Sequence, residues 1–312
     1  MSIHTQVTPT PRPAVDDTKG STHYPQQIPK SSRTRSPVVR PRRGFGRFLY
    51  QPGLILSALF VLLVLGWALH PSMFANTNPL RSIASPLQPP STEHWFGTDY
   101  LGRDVYARVV HGTSLSLQAV VIAVATALVI GSAVGLIAGI VGGWLDDVIM
   151  RIVDVLLAVP GILLALAIVA ALGFGTLNVA IAVGVSSATG FARVMRAEVL
   201  RIRTSAFVEA GAALGRRWSS NVARHVLPNS VGPVAVLAAL ELGTAVLAVS
   251  SLSFLGFGAK PPAPEWGSLI SDGRNYLATS WWLTIMPGTV VVAFVLATNR
   301  LARSLERSDE TQ

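Results

Sequence analysis

Cysteine is absent from the 312-residue chain, which excludes disulfides and thiolate-held metals. Charge is scarce as well. Asp, Glu, Lys and Arg together make up 13% of the residues, against about 25% in an average soluble domain. Lysine is nearly missing, represented only by Lys19, Lys30 and Lys260. None of these closes a GxxxxGK[ST] loop, so the chain is not expected to cradle ATP phosphates itself. An H-E-x-x-H zinc helix is also missing. The six histidines, His4, His23, His70, His94, His111 and His225, avoid the middle of every hydrophobic run. That placement argues against haem ligation or a histidine proton relay inside a bilayer.

What is present is apolar. Hydrophobic residues make up 50% of the chain and the mean hydropathy is +0.49. Both values indicate a membrane protein. The formal net charge of +9 raises the question of nucleic acid, but the basic residues lie between hydrophobic runs rather than along an aromatic-studded face. No nucleic-acid partner is expected.

Residues 1–45 contain seven prolines and many Ser and Thr. Such a segment buries too little apolar surface to offset its ordering entropy, so it reads as a disordered basic tail. Lys30, Arg33, Arg35, Arg40, Arg42, Arg43 and Arg47 crowd the approach to the first run, where they serve as a topological signal. Residues 54–69, with their flanks, are long enough to cross an apolar bilayer core of ~30 Å. No small-x-small cleavage site follows, so this is an uncleaved span. Residues 46–112 then comprise this first span and a proline-rich external loop.

A five-span core follows over residues 113–300. Its first run, 113–141, places Ala127, Gly131, Gly135 and Gly139 on one helix face, a spacing that admits another helix backbone. The next, 148–172, carries Arg151 and Asp154 three apart, able to pair on one face, and Pro160, expected to kink it. Residues 176–191, 231–257 and 281–296 complete six spans of an all-α membrane protein. Residues 266–277 read as a short amphipathic interfacial helix, and Trp281 and Trp282 suit an aromatic belt. Residues 301–312 form a C-terminal tail.

Six spans put both termini on one side. With the N-terminus inside, twenty basic residues fall inside and five outside: Arg81, Arg103, Arg108, Lys260 and Arg274. The bias predicts cytoplasmic termini and a cytoplasmic loop at 192–229. Within that loop, residues 205–229 are too elaborate for a connector. Ala206 to Leu214 is a marginal short helix, with Glu209 in its first turns, where the dipole favours an anion. Gly215 can supply a left-handed exit, and Arg216 and Arg217 follow, ready for acidic partner residues or lipid phosphates. One ionisable residue, Glu241, sits deep in the run AVLAALELGTAVL. A carboxylate there is costly. It either lines an aqueous path and favours cationic or amine-bearing cargo, or is protonated or hydrogen-bonded between helices.

Four blocks carry a family resemblance: FGTDYLGRDVYARVVHG, GGWLDDVIMRIVDVLLAVPGILLA, residues 205–229, and SLSFLGFGAKPPAPEWG. In this order the chain resembles the permease subunits of type I ABC importers for dipeptides, oligopeptides or nickel, specifically the C-type peptide permease. The family's cytoplasmic signature is matched by Glu209, Ala210, Gly215, Leu227 and Pro228. Gly211 stands in place of a second alanine, and His225 at a position usually hydrophobic. Glu241 departs from a mostly neutral pattern.

The resemblance implies a non-catalytic transport subunit of the cytoplasmic (inner) membrane. A second related permease would complete a heterodimeric pore. Two ATPase subunits, holding ATP and Mg, would sit beneath it, and an extracytoplasmic binding protein would deliver cargo. The signature would form a coupling helix seated in a groove of the ATPase. Here Glu209, Ala210, Gly211, Gly215, Arg216 and Arg217 would contact the partner, while His225, Leu227 and Pro228 shape the return into the membrane. The chain itself would bind no cofactor or metal. The cargo reading remains open between peptides and nickel, a metal complex or haem. A different class, an intramembrane hydrolase, would need Ser114 and His111 to act together without an orienting acid.

Overall fold

The computed structural model describes residues 52–205 and 227–309. Among these residues the protein is helical. The helices are α1 (Pro52–Leu69), the single turn α2 (Pro71–Phe74), α3 (Val105–Val141), α4 (Gly143–Ala158), α5 (Gly161–Leu172), α6 (Thr176–Arg203), α7 (Leu227–Phe254), α8 (Trp266–Gly273) and α9 (Trp282–Asp309). A 3-10 turn, Arg274–Tyr276, follows α8. Five helices are long and apolar enough to cross a membrane, or six if α4 and α5 together count as one span.

Helices α3 and α6 form the central pair, running parallel in tight register. Gly184 of α6 lies against Ala123 and Thr126 of α3, Gly131 against Ala188 and Phe191, Gly135 against Ala192 and Met195, and Gly139 against Val199. The small-residue face at 127–139 is therefore an interhelical seam. Apolar side chains gain little from leaving lipid for protein, so close backbone approach and dispersion hold such a pair.

Two boundaries differ from expectation for identifiable reasons. Helix α3 begins at Val105 rather than near 113, because Asp104 caps it: its Oδ1 accepts from the Ala107 N–H at 2.8 Å. The 37-residue helix is about 55 Å long at 1.5 Å per residue and projects beyond an apolar core. Residues 176–191 are only the first part of α6, which runs on through the basic stretch to Arg203.

The run 148–172 breaks far more sharply than the kink expected at Pro160. It is two helices meeting at 97°. The residue before a proline is driven to extended backbone; Val159 adopts ψ 130, and α4 ends there. The break is fastened to α6, where Ser186 Oγ donates to the Gly161 carbonyl at 2.7 Å. The expected Arg151–Asp154 pair does not form. Asp154 instead accepts from Arg193 Nη2 of α6 at 2.7 Å, because the α4–α6 crossing brings that guanidinium within reach.

At the opposite end, the loop before α3 folds back on itself. Asp99 Oδ2 accepts from Arg103 Nε and Arg108 Nη1, both at 2.7 Å, and Oδ1 accepts from the Leu101 and Arg103 N–H groups. Gly97 and Gly102 adopt φ of 71° and 73°, and a Cβ at either would overlap a carbonyl of residues 84–88. Trp282 is buried and donates through Nε1 to the Thr98 carbonyl at 3.3 Å. Trp281 alone of that pair stands at the surface, 48% exposed.

Candidate functional site

The segment that carries the coupling signature leaves the core at Arg203 of α6 and returns at Leu227 of α7. Glu209, Ala210, Gly211, Gly215, Arg216, Arg217 and His225 lie outside the described residues. Leu227 opens α7, and Pro228 occupies its first turn, where the missing N–H removes no helix bond.

The two feet of this segment share one apolar cluster. Met195, Val199 and Ile202 of α6 pack with Val234 of α7, and Leu136 and Ile140 of α3 close the cluster from a third side. The α3–α6 seam continues directly into it through Gly139 and Val199. The helix ends that flank the segment are thus packed on three helices at once. Close-packed interiors transmit strain because they have little free volume.

Ion pairs lock α4 to the same foot. Arg196 donates through Nε and Nη2 to the two Asp146 oxygens, at 2.5 and 2.6 Å, a bidentate arrangement with fixed geometry. Arg193–Asp154 adds a second bond at a more exposed position. Arg203 Nη1 reaches the Ile140 carbonyl at 3.4 Å, near the end of α3. The basic residues of 192–203 therefore do more than mark topology: three of them brace the base of the segment. The Asp146–Arg196 pair went unseen in the sequence because its members stand fifty positions apart, though the acidic turn beside a basic helix end was its visible trace.

Glu241 is half-buried on α7. Its carbonyl accepts from Thr244 Oγ1 at 2.9 Å, and its carboxylate has no hydrogen-bond or ionic partner among the described residues. The interhelical hydrogen bond considered for it is therefore not formed among them.

The pair needed for hydrolysis does not come together. His111 Nε2 lies 3.1 Å from the Ala75 carbonyl, and Ser114 Oγ accepts from Gln118 at 3.2 Å. No group of three or more His, Asp or Glu is arranged to hold a metal among the described residues.

Sequence reasoning missed Glu265. It is fully buried and caps α8, accepting from the Gly267 and Ser268 N–H groups, each at 3.0 Å, and from Ser116 Oγ of α3 at 3.4 Å. Trp266 Nε1 adds a bond to the Val109 carbonyl of α3 at 3.2 Å. Helix α8, expected at the membrane interface, is thus held into the core beside α3. Burial pushes the Glu265 carboxyl above the usual range, against the opposing pull of the two N–H groups. Asp272 is raised for the same reason, with Arg108 opposing.

Residues 131–308 match the family described as binding-protein-dependent transport system inner membrane component. The chain belongs to that family. Dipeptide transport system permease protein DppC of Alkalihalophilus pseudofirmus is 42% identical over 81% of this chain and 82% of its own. Glutathione transport system permease protein GsiD of Pectobacterium atrosepticum is 38% identical over 86% and 92%. The probable D,D-dipeptide transport system permease protein DdpC of Escherichia coli is 36% identical over 80% and 84%. Among solved structures, an inward-facing MetNI methionine ABC transporter chain aligns over 64% of this chain and 96% of its own. The TM-score is 0.50 and the identity 20%, a likeness of fold. The family match includes the α3–α6 seam from Gly131 onward, α7 and most of α9. The fold is that of an all-α, multi-pass type I ABC importer permease.

Proposed function

We propose that the chain is the transmembrane permease subunit of an ATP-driven importer of dipeptides or oligopeptides in the cytoplasmic membrane, and that ATP is hydrolysed by its partners. The observation that carries this reading is the mounting of residues 206–226. Their signature sequence is held at both ends by the α3–α6–α7 cluster, so a pull on it moves the helices of a translocation path. The dipeptide and glutathione systems named for its relatives support peptide cargo.

A second, related permease completes the pore as a heterodimer. Two ATP-binding subunits, carrying ATP and Mg, engage Glu209, Ala210, Gly211, Gly215, Arg216 and Arg217. An extracytoplasmic binding protein delivers cargo to the opposite end. Both termini and residues 206–226 face the cytoplasm. The charge bias supports this, as does the structure: the start of α1 at Gly53 lies against Arg300 near the end of α9. Alternating access follows when ATP closes the ATPase pair, draws the coupling segment with it, and opens the pore outward. Glu241 faces the translocation path, where an unpaired carboxylate attracts the amino group of a peptide.

The test is reconstitution in proteoliposomes with a second permease, the ATPases and the binding protein of a peptide importer from the same cell. ATP-dependent peptide accumulation that requires all components is expected. Accumulation without the ATPases, or none with the complete set, contradicts the assignment.

A further inference from the structure

A groove of about 760 Å³ runs between α1 and α9. Its wall is apolar, formed by Leu56, Phe60, Ala293 and Leu296, and its rim near the end of α9 carries Arg300 and Arg303. These arginines stand three apart, so they share one helix face. Both are exposed, and neither has a carboxylate within ion-pairing distance among the described residues. Among the helical arginines, Arg108, Arg193, Arg196 and Arg201 each meet an Asp or Glu, whereas Arg151 shares the unpaired state of Arg300 and Arg303 among the described residues but stands apart from any such groove. The Arg300 guanidinium lies against Gly53 at the start of α1, at the mouth of the groove. Two uncompensated cations at the end of a membrane helix, beside an open apolar wall, complement an anionic headgroup that carries acyl chains.

We propose that this groove holds an acidic phospholipid, its phosphate between Arg300 and Arg303 and an acyl chain along Leu56, Phe60, Ala293 and Leu296. Charge decides among occupants. Residues 1–51 carry nine basic side chains against only Asp16 and Asp17, so their charge does not complement the rim. A zwitterionic lipid matches the wall but brings its own cation to the arginines. Basic recesses between membrane helices favour acidic headgroups for this reason. The choice of leaflet, the one facing residues 206–226, rests on the orientation proposed above; the lipid preference itself does not.

The experiment is native mass spectrometry of the full-length chain in detergent micelles containing equal amounts of dioleoylphosphatidylglycerol and dioleoylphosphatidylcholine. Retention of the glycerol lipid should exceed that of the choline lipid by roughly thirtyfold, as two basic contacts predict. Arg300→Gln with Arg303→Gln should abolish the preference, and Arg300→Lys with Arg303→Lys should keep it. Arg151→Gln with Arg201→Gln, which removes the same charge elsewhere, should leave it unchanged. Ala293→Trp, which fills the groove at constant charge, should lower retention of both lipids. Equal retention of the two lipids by the unaltered chain overturns the proposal, as does an undiminished preference in the double Gln variant. Retention that emerges only after deletion of the acidic residues 305–312 also overturns it, because the tail is then the occupant.

Discussion

Gly135 of α3 faces Ala192 of α6 so closely that a Cβ on the glycine would overlap the alanine carbonyl oxygen. The same seam runs on through Gly139 to Val199 and ends at the foot of residues 206–226. The contact that joins two helices is therefore continuous with the one that anchors the coupling segment.

Gly135→Val should force α3 and α6 apart. Overpacking of this kind costs about 1–3 kcal/mol, and more where backbone opposes it. The thermal midpoint of the purified protein should fall and transport should be lost. Gly190, on α6 but with nothing within 4 Å of an added Cβ, provides the contrast, and Gly190→Ala should leave the midpoint unchanged or slightly raised.

The Asp146–Arg196 fork braces α4 against α6. Asp146→Ala leaves a guanidinium without its carboxylate and should cost roughly 2 kcal/mol. Exchanging the two residues, Asp146→Arg with Arg196→Asp, should recover part of that loss in a double-mutant comparison. No recovery would reduce the pair to two independent contributions.

The helical runs were legible because a span needs about twenty apolar residues, and the glycine seam because helix periodicity places every fourth residue on one face. Pro160 announced the break between α4 and α5, but not the right angle there or the hydrogen bond that ties the break to Ser186 of α6, twenty-five positions away. Arg151 and Asp154 looked like partners by spacing alone, and a neighbouring helix took Asp154 instead. Asp99 and Glu265 lay in loops whose proline and glycine content suggested only turns, and Asp272 on a short helix expected at the membrane interface. Their pairing with Arg103, Arg108 and Ser116 depends on loop closure that no local period records.

Glu265 links the stability of the α8 region to pH. Burial raises its carboxyl above the usual range, so the folded state holds its proton more tightly than the unfolded state does. Stability must then be highest at low pH and fall as pH rises from the ordinary carboxylate range toward the raised folded value. Glu265→Gln removes that titration and should flatten the fall, as measured by thermal unfolding across a pH series. Glu265→Ala leaves three donors facing the site without their acceptor and should destabilise at every pH, by about 1–3 kcal/mol for each one left unmet.

Glu241→Gln keeps the shape of the side chain and removes its charge. If the carboxylate lines the path, competition assays should show weakened uptake of cationic peptides relative to neutral ones, with the thermal midpoint unchanged. An unchanged cargo profile with a lower midpoint would make the residue structural.

The proposed role of residues 205–229 is to receive a partner's ATP cycle at the membrane. Its most direct test is peptide-stimulated ATP hydrolysis by the reconstituted complex carrying Glu209→Lys or Gly215→Asp. The expected result is loss of stimulation, by uncoupling or by release of the ATPases, with the helices still inserted in the membrane. Full stimulation together with normal peptide uptake in both variants would contradict it.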